Sequence, residues 1–297
     1  MHAADQSPSL VIKTNGVELC TQSFGNPDDP PILLIMGAGA SMLWWDETFC
    51  RLLADTGRFV IRYDHRDTGR STTFPPGNPG YSGADLVTDA VGVLDGYSIE
   101  AANLVGFSAG GAIAQLLTLN HAERVRSLTL ISTSPVIPGE RALPPPTEAF
   151  RRFVAITQVD WSDRDSVIRY RVDYCRMLAG DGPFDEPALL DLVRRDVERA
   201  HDFSAAQNHD LIADGEPPRR PLASITVPTL VIHHLGDPIF PLDHDVALAE
   251  AIPTAGLHPL IGAGHLIDRA DWDEVILAIR TYTSPEGLPS DPRMDYM

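Results

Sequence analysis

No apolar run in this sequence is long enough to cross a membrane; the longest near the start, Pro31 to Met36, is strand-sized. The opening segment MHAADQSPS has no basic region followed by an apolar stretch, so no secretory signal is expected and the cytoplasm is the expected location. Cysteine is scarce: Cys20, Cys50 and Cys175 are widely spaced, form no C-x-x-C pair and cannot all pair with one another. Buried free thiols are the expectation. Basic residues are also few, 23 against 41 acidic ones, for a net charge of −18. That balance disfavours nucleic acid and anionic membrane as partners, and it names no substrate. There is no P-loop and no H-E-x-x-H pattern. His233 and His234 are adjacent, so on a strand they point to opposite faces rather than at one metal ion. No metal and no cofactor are expected, and a small molecule is the expected partner.

What is present is ordinary for a globular protein: 297 residues, 43% hydrophobic and 22% charged. The length allows one large domain, or a domain with an inserted subdomain. Asn15-Gly16 between Leu10–Lys13 and Val17–Thr21 signals a two-residue hairpin. The runs 31–36, 59–63, 103–107, 125–132, 229–233 and 256–261 read as further strands, eight in all. Between them the apolar spacing predicts helices over 45–55, 83–94, 110–120 and 242–252, with a closing helix over 272–282. Alternating β and α units imply a mostly parallel sheet flanked by helices. The rhythm breaks after Ser134, where Pro135, Pro138 and Pro144-Pro145-Pro146 mark a linker. Residues 135–218 read as a charged helical cap ended by Pro217-Pro218, inserted into a core formed by 1–134 and 219–297. The tail from Ser284 is polar and Pro-rich.

The strongest chemical signal is Gly106-Phe107-Ser108-Ala109-Gly110, a G-x-S-x-G between a strand and a helix. In that setting it reads as a nucleophile elbow, a tight turn that lifts the serine hydroxyl above the sheet edge. Serine needs a base. Most of the ten histidines, such as His2, His121 and His201, are expected to face solvent. His265 is the candidate base, because it lies in a glycine-flanked loop after the last strand. Asp237, following the strand over 229–233, is the expected acid: buried there it would accept the His265 ring N–H and fix its tautomer. Asp-Pro is also a turn dipeptide, and Glu140 competes for the acid's role. The backbone N–H groups of Ala109 and of Ala38, in the loop Met36-Gly37-Ala38-Gly39-Ala40-Ser41, are the expected oxyanion donors. Trp44 or Trp45 is expected against the substrate and the other in the core, with Phe107 and Trp161 as further substrate contacts.

Asp64-His65-Arg66-Asp67-Thr68-Gly69-Arg70-Ser71 resembles the D-x-R-x-x-G-x-S signature of the α/β-hydrolase superfamily. The form Tyr63-Asp64-His65-Arg66-Asp67-Thr68-Gly69-Arg70-Ser71-Thr72, with Met36-Gly37 in place of the common His-Gly, is similar to the branch of aclacinomycin methylesterase and macrolide esterases. The resemblance spans roughly residues 9 to 283, weakly over the cap. It implies an α/β-hydrolase fold, a triad of Ser108, Asp237 and His265, and esters of polyketide antibiotics as substrates. Ala109 stands where this branch often has Met, which changes the volume beside the nucleophile and leaves the backbone donor in place. An aspartate at position 108 would imply a dehalogenase or epoxide hydrolase. Small esters, acyl-homoserine lactones and carbon–carbon bond cleavage fit the same triad, while a non-catalytic binding protein would be expected to have lost a triad residue.

Overall fold

The computed structural model describes residues 9–139, 141–180, 182, 184–213, 218, 220–262 and 264–284. Glu140, Pro217, the first eight residues and the tail beyond Ser284 lie outside the described residues.

Eight strands form one sheet: β1 (Leu10–Thr14), β2 (Val17–Phe24), β3 (Pro31–Ile35), β4 (Phe59–Tyr63), β5 (Ala102–Phe107), β6 (Val125–Ile131), β7 (Thr229–His234) and β8 (Ala255–Leu260). The order across the sheet is β1-β2-β4-β3-β5-β6-β7-β8. β1 and β2 form the hairpin at Asn15-Gly16 and are antiparallel; β4 onward is parallel. β2 runs three residues beyond the expected end, because Thr21–Phe24 pair with Tyr63–Val60 of β4. β3 is buried at every position. Leu33 and Ile35 join the core under one layer of helices, Ile32 and Leu34 the core under the other, as the two-residue period of a strand dictates.

One face carries α2 (Gly83–Gly96), α3 (Ala109–Asn120) and α7 (Asp243–Ala251); the other carries α1 (Glu47–Ala54) and α8 (Trp272–Tyr282). α1 starts later than its apolar spacing predicts. Asp46 caps it by accepting the Thr48 N–H at 2.7 Å, and the Met42–Trp44 segment forms a separate 3-10 turn. The three cysteines are buried and free. No helix among the described residues is long and apolar enough to cross a membrane.

Between β6 and β7 the chain contains no strand among the described residues. It forms α4 (Glu148–Ile156), α5 (Arg164–Ala179), α6 (Glu186–Arg199) and a 3-10 helix at Phe203–Asp210. Val167, Ile168 and Val172 of α5 pack on Val193 and Val197 of α6, a small core of their own.

After the β1–β2 hairpin the chain forms β3, steps to β4 on one side, then returns past β3 to β5 on the other. The loops after β3 and β5 therefore diverge and leave a crevice at the carboxyl edge. Open α/β sheets bind ligands at such a switch point.

Candidate active site

Ser108 follows β5 at that crevice, with a backbone φ of +53°. A non-glycine residue in this region is strained, and neighbouring contacts hold it there. Its N–H donates to the Ile131 carbonyl at 2.9 Å; its own carbonyl accepts from Gly111 N–H at 2.8 Å and Thr133 Oγ1 at 2.7 Å. The two flanking glycines make the turn possible. A Cβ on Gly106 would strike the Gly110 carbonyl, and one on Gly110 would strike the Ile35 carbonyl.

His265 lies beyond β8 and is buried. Its Nδ1 bonds to Asp237 Oδ2 at 2.7 Å. The other Asp237 oxygen accepts the N–H groups of Ile239 at 2.7 Å and Phe240 at 3.0 Å. Burial pushes the Asp237 carboxyl up, but His265 and those two N–H groups outweigh it and hold the pKa below the ordinary value. A charged carboxylate at Nδ1 keeps the proton there and presents the Nε2 lone pair on the opposite side of the ring. The His265 backbone is tied to the inserted helices, since its N–H donates to the Leu178 carbonyl of α5 at 2.7 Å.

Ser108 and His265 face one cavity of about 350 Å³. Ala38, Trp44, Phe107 and Trp161 also line it, so the structure gathers most of the residues singled out in the sequence. Asp237 stands behind His265. Ala109 is the first residue of α3, directly after Ser108. Trp45 is 3% exposed, stacks on Phe49 and meets Phe107 edge-on; it faces a neighbouring cavity of about 380 Å³. Met36, Trp44, Phe107 and Leu266 are shared by the two cavities. Of the inserted aromatics, Trp161, Tyr170, Tyr174 and Phe203 line the cavity at Ser108, whereas Phe150 and Phe153 pack on Tyr174 and Tyr170.

The loop bearing Ala38 is braced from two directions. His65 Nε2 bonds to the Met36 carbonyl at 2.9 Å. His209, on the Phe203–Asp210 segment, accepts the Gly39 N–H on Nδ1 at 2.9 Å and donates from Nε2 to the Arg66 carbonyl at 2.9 Å. The neighbouring Gly39 N–H is thus already engaged, next to the Ala38 N–H expected from the sequence to be a donor. Burial holds the His209 pKa below its ordinary value, and the two bonds together require the neutral ring.

The D-x-R-x-x-G-x-S residues turn out to be a brace rather than a reacting group. Asp64 accepts the N–H groups of Met42 and Arg70, both at 2.9 Å, and pairs with Arg199 of α6 at 2.7 Å. Arg66 forms a two-bond pair with Asp89 at 2.7 and 2.6 Å. Sequence reasoning missed His209 and Arg199 because both act across more than a hundred residues of chain.

It also misjudged the histidines as a group. Six of the ten, His65, His233, His234, His244, His258 and His265, are buried. Two of them lie beside carboxylates: His233 meets Asp245 at 2.5 Å on one side of the sheet, and His234 meets Asp271 at 3.2 Å on the other. Among the described residues, no cluster of three or more His, Cys, Asp or Glu could hold a metal ion.

Residues 30–166 match a family model described as the alpha/beta hydrolase fold. A rhodomycin D methylesterase of Streptomyces sp. strain C5 is 33% identical over 93% of this chain and 98% of its own length. A second, from Streptomyces peucetius, is 32% identical over 93% and 98%. An esterase structure from Exiguobacterium antarcticum has the same fold, with a TM-score of 0.75 at 20% identity over 93% of this chain and 99% of that one. By its strand order and its likeness to these methylesterases over 93% of its length, the chain belongs to the α/β-hydrolase family and is a carboxylic ester hydrolase.

Proposed function

We propose that this enzyme cleaves a carboxylic ester or lactone of a bulky polyketide or macrolide through an acyl-enzyme on Ser108. The observation that carries the reading is the convergence of a strained Ser108 and an Asp237-oriented His265 on one cavity. As Ser108 Oγ attacks the carbonyl carbon, its proton passes to His265 Nε2. The Ala38 and Ala109 N–H groups hold the oxyanion, helped by the N-terminus of α3. Collapse of the tetrahedral species breaks the bond to the alcohol oxygen, which takes the proton from His265. Water then attacks the acyl-enzyme with His265 again as base, releasing the acid and restoring Ser108. Asp237 stays ionised throughout and stabilises the imidazolium.

The substrate class is supported by the aromatic lining, by the adjoining second cavity, by the resemblance to esterases of polyketide antibiotics, and by relatives named for rhodomycin D. A cavity of this size takes a drug-sized group, and each large ring buried contributes ~1.5–3 kcal/mol, which acetate cannot gain.

Ser108→Ala is expected to lose at least ~10³-fold in turnover, because nucleophile and base act as a unit. A serine-directed phosphonate should label Ser108 alone. A panel of large polyketide esters and macrolides, read by mass spectrometry, should show the alcohol released and replaced by water in the acid product for ester cleavage, or a single product heavier by one water for ring opening. Rapid turnover of p-nitrophenyl acetate with no large substrate touched would refute the substrate class, and labelling elsewhere with Ser108→Ala still active would refute the nucleophile.

A further inference from the structure

Acyl transfer on Ser108 leaves the one arginine that lines its cavity without a task. Arg171, in the middle of α5, lines the same cavity as Ser108 and His265. Its guanidinium carbon lies 5.3 Å from the centre of the Trp44 ring, 5.7 Å from Phe203 and 5.9 Å from Tyr174. Its Nε is buried and makes no hydrogen bond. The three other arginines of α5 have carboxylate partners: Arg164 pairs with Glu198, Arg169 with Asp163, and Arg176 with Asp173 and Glu186. Among the described residues Arg171 has no hydrogen bond and no ion pair, and three rings surround its guanidinium. Asp210 also lines the cavity and feels the arginine's charge, but it stands beyond ion-pair distance, and burial pushes its carboxyl up.

Ring faces attract a cation, yet they cannot accept N–H bonds as oxygen does. A guanidinium with no oxygen acceptor is therefore costly unless a ligand brings one. The planar fork of an arginine matches a pair of oxygens, and the flanking rings match a flat ligand. The protein's net charge of −18 repels anions at long range, so a negative group would be recognised here only by a local cation.

We propose that Arg171 is a substrate-binding residue that takes an anionic oxygen, carboxylate or ionised phenol, carried on the flat ring system of the ester away from the scissile carbonyl. This rests on the reading of Ser108 as the acylated serine and narrows its substrate class.

The test uses three naphthoate methyl esters: one with a second carboxylate, its carboxamide counterpart, and one with a phenol measured on both sides of that phenol's own ionisation. Binding is followed by tryptophan fluorescence in Ser108→Ala, with and without Arg171→Met, and turnover is followed in the same pair with Ser108 intact. Methionine keeps an apolar stem against the rings, thermal melts check folding, and Arg171→Lys restores the charge alone. The carboxylate ester should bind about 10- to 100-fold tighter than the carboxamide, with the preference expressed in KM rather than kcat. Arg171→Met should remove that preference and Arg171→Lys should restore part of it. A preference that appears only as the phenol ionises identifies a phenolate as the ligand group; one confined to the carboxylate ester identifies a carboxylate. Hydrolysis of all three esters with ratios unmoved by Arg171→Met overturns this site and leaves Ser108 standing. Arg171-dependent binding with no hydrolysis of any ester by the intact enzyme overturns the hydrolytic reading and leaves this site.

Discussion

The Asp237 pKa lies below its ordinary value in a place where burial alone would raise it. Its carboxylate has three hydrogen bonds, two from backbone and one from His265. Asp237→Asn keeps the shape, but the amide can offer a donor to Nδ1 and so favour the wrong tautomer. The expected result is an intact fold by circular dichroism with kcat reduced roughly 10³- to 10⁴-fold. Because the Asp237 pKa is depressed, Asp237 remains ionised through the range in which a histidine base gains its proton. kcat/KM should then fall on the acid side with a single ionisation, and a profile flat down to pH ~5 would count against a histidine base. The triad candidates were legible in the sequence because each stands just past the carboxyl end of a strand, a position that apolar runs locate. Arg171 was not legible: on a charged helix it reads as one more surface arginine, and only the approach of Trp44 and Phe203 marks it out.

The inserted helices meet the proposed site through a backbone carbonyl as well as through side chains. Leu178 of α5 holds the His265 N–H, and His209 holds the Gly39 N–H beside Ala38. His209 offers an acceptor at Nδ1 and a donor at Nε2, and two substitutions separate them. Asparagine can place an oxygen near the Nδ1 position; glutamine can place an N–H near Nε2. If the acceptor sets the loop, His209→Asn should keep most of kcat, while His209→Gln and His209→Leu should lose roughly 3- to 10-fold, the value of one hydrogen bond. Equal losses in all three, tracking the melting temperature, would mean that His209 only fills space. The phosphonate labelling rate adds a readout on oxyanion binding that general loosening would not reproduce. These links could not be read from the sequence, because hydrophobic spacing says where a helix lies and not which loop its end will meet. The start of α1 was missed for a local reason: Trp45 continues the apolar pattern, but Asp46 caps the helix after it.

At the scale of the molecule, the order β4-β3-β5 creates the crevice, and the residues packed beneath it set how the protein responds to acid. Strand number and parallel character followed from the alternating pattern, whereas the pairing order depends on contacts the pattern does not encode. His65, under the Ala38 loop, shows the consequence. It is 1% exposed, donates to the Met36 carbonyl and packs edge-on to Tyr63. Burial, with His209 and Arg66 nearby, lowers its pKa from 6.5 to about 3, against the opposing bond to Met36. The unfolded chain therefore binds a proton at His65 below pH ~6.5 that the folded chain refuses until pH ~3. Protons favour the unfolded state across that window, so this group's contribution is complete above the window and is lost as pH falls through it. The slope from one such group approaches ~1.4 kcal/mol per pH unit. Carboxyls raised by burial, Asp245 to about 6 and Asp64 beside it in sign, act the other way, since the folded chain holds their protons more tightly. The total pH dependence thus mixes both signs, and the informative quantity is a difference. His65→Gln keeps a donor for Met36 and cannot titrate. Thermal melts at pH 7 and pH 5 should show a smaller acid-induced drop in Tm for His65→Gln than for the wild type, whatever the variant costs at pH 7. Equal drops in the two proteins would show that His65 gains its proton as readily in the folded chain as in the unfolded one, and that the packing beneath the Ala38 loop does not exclude charge.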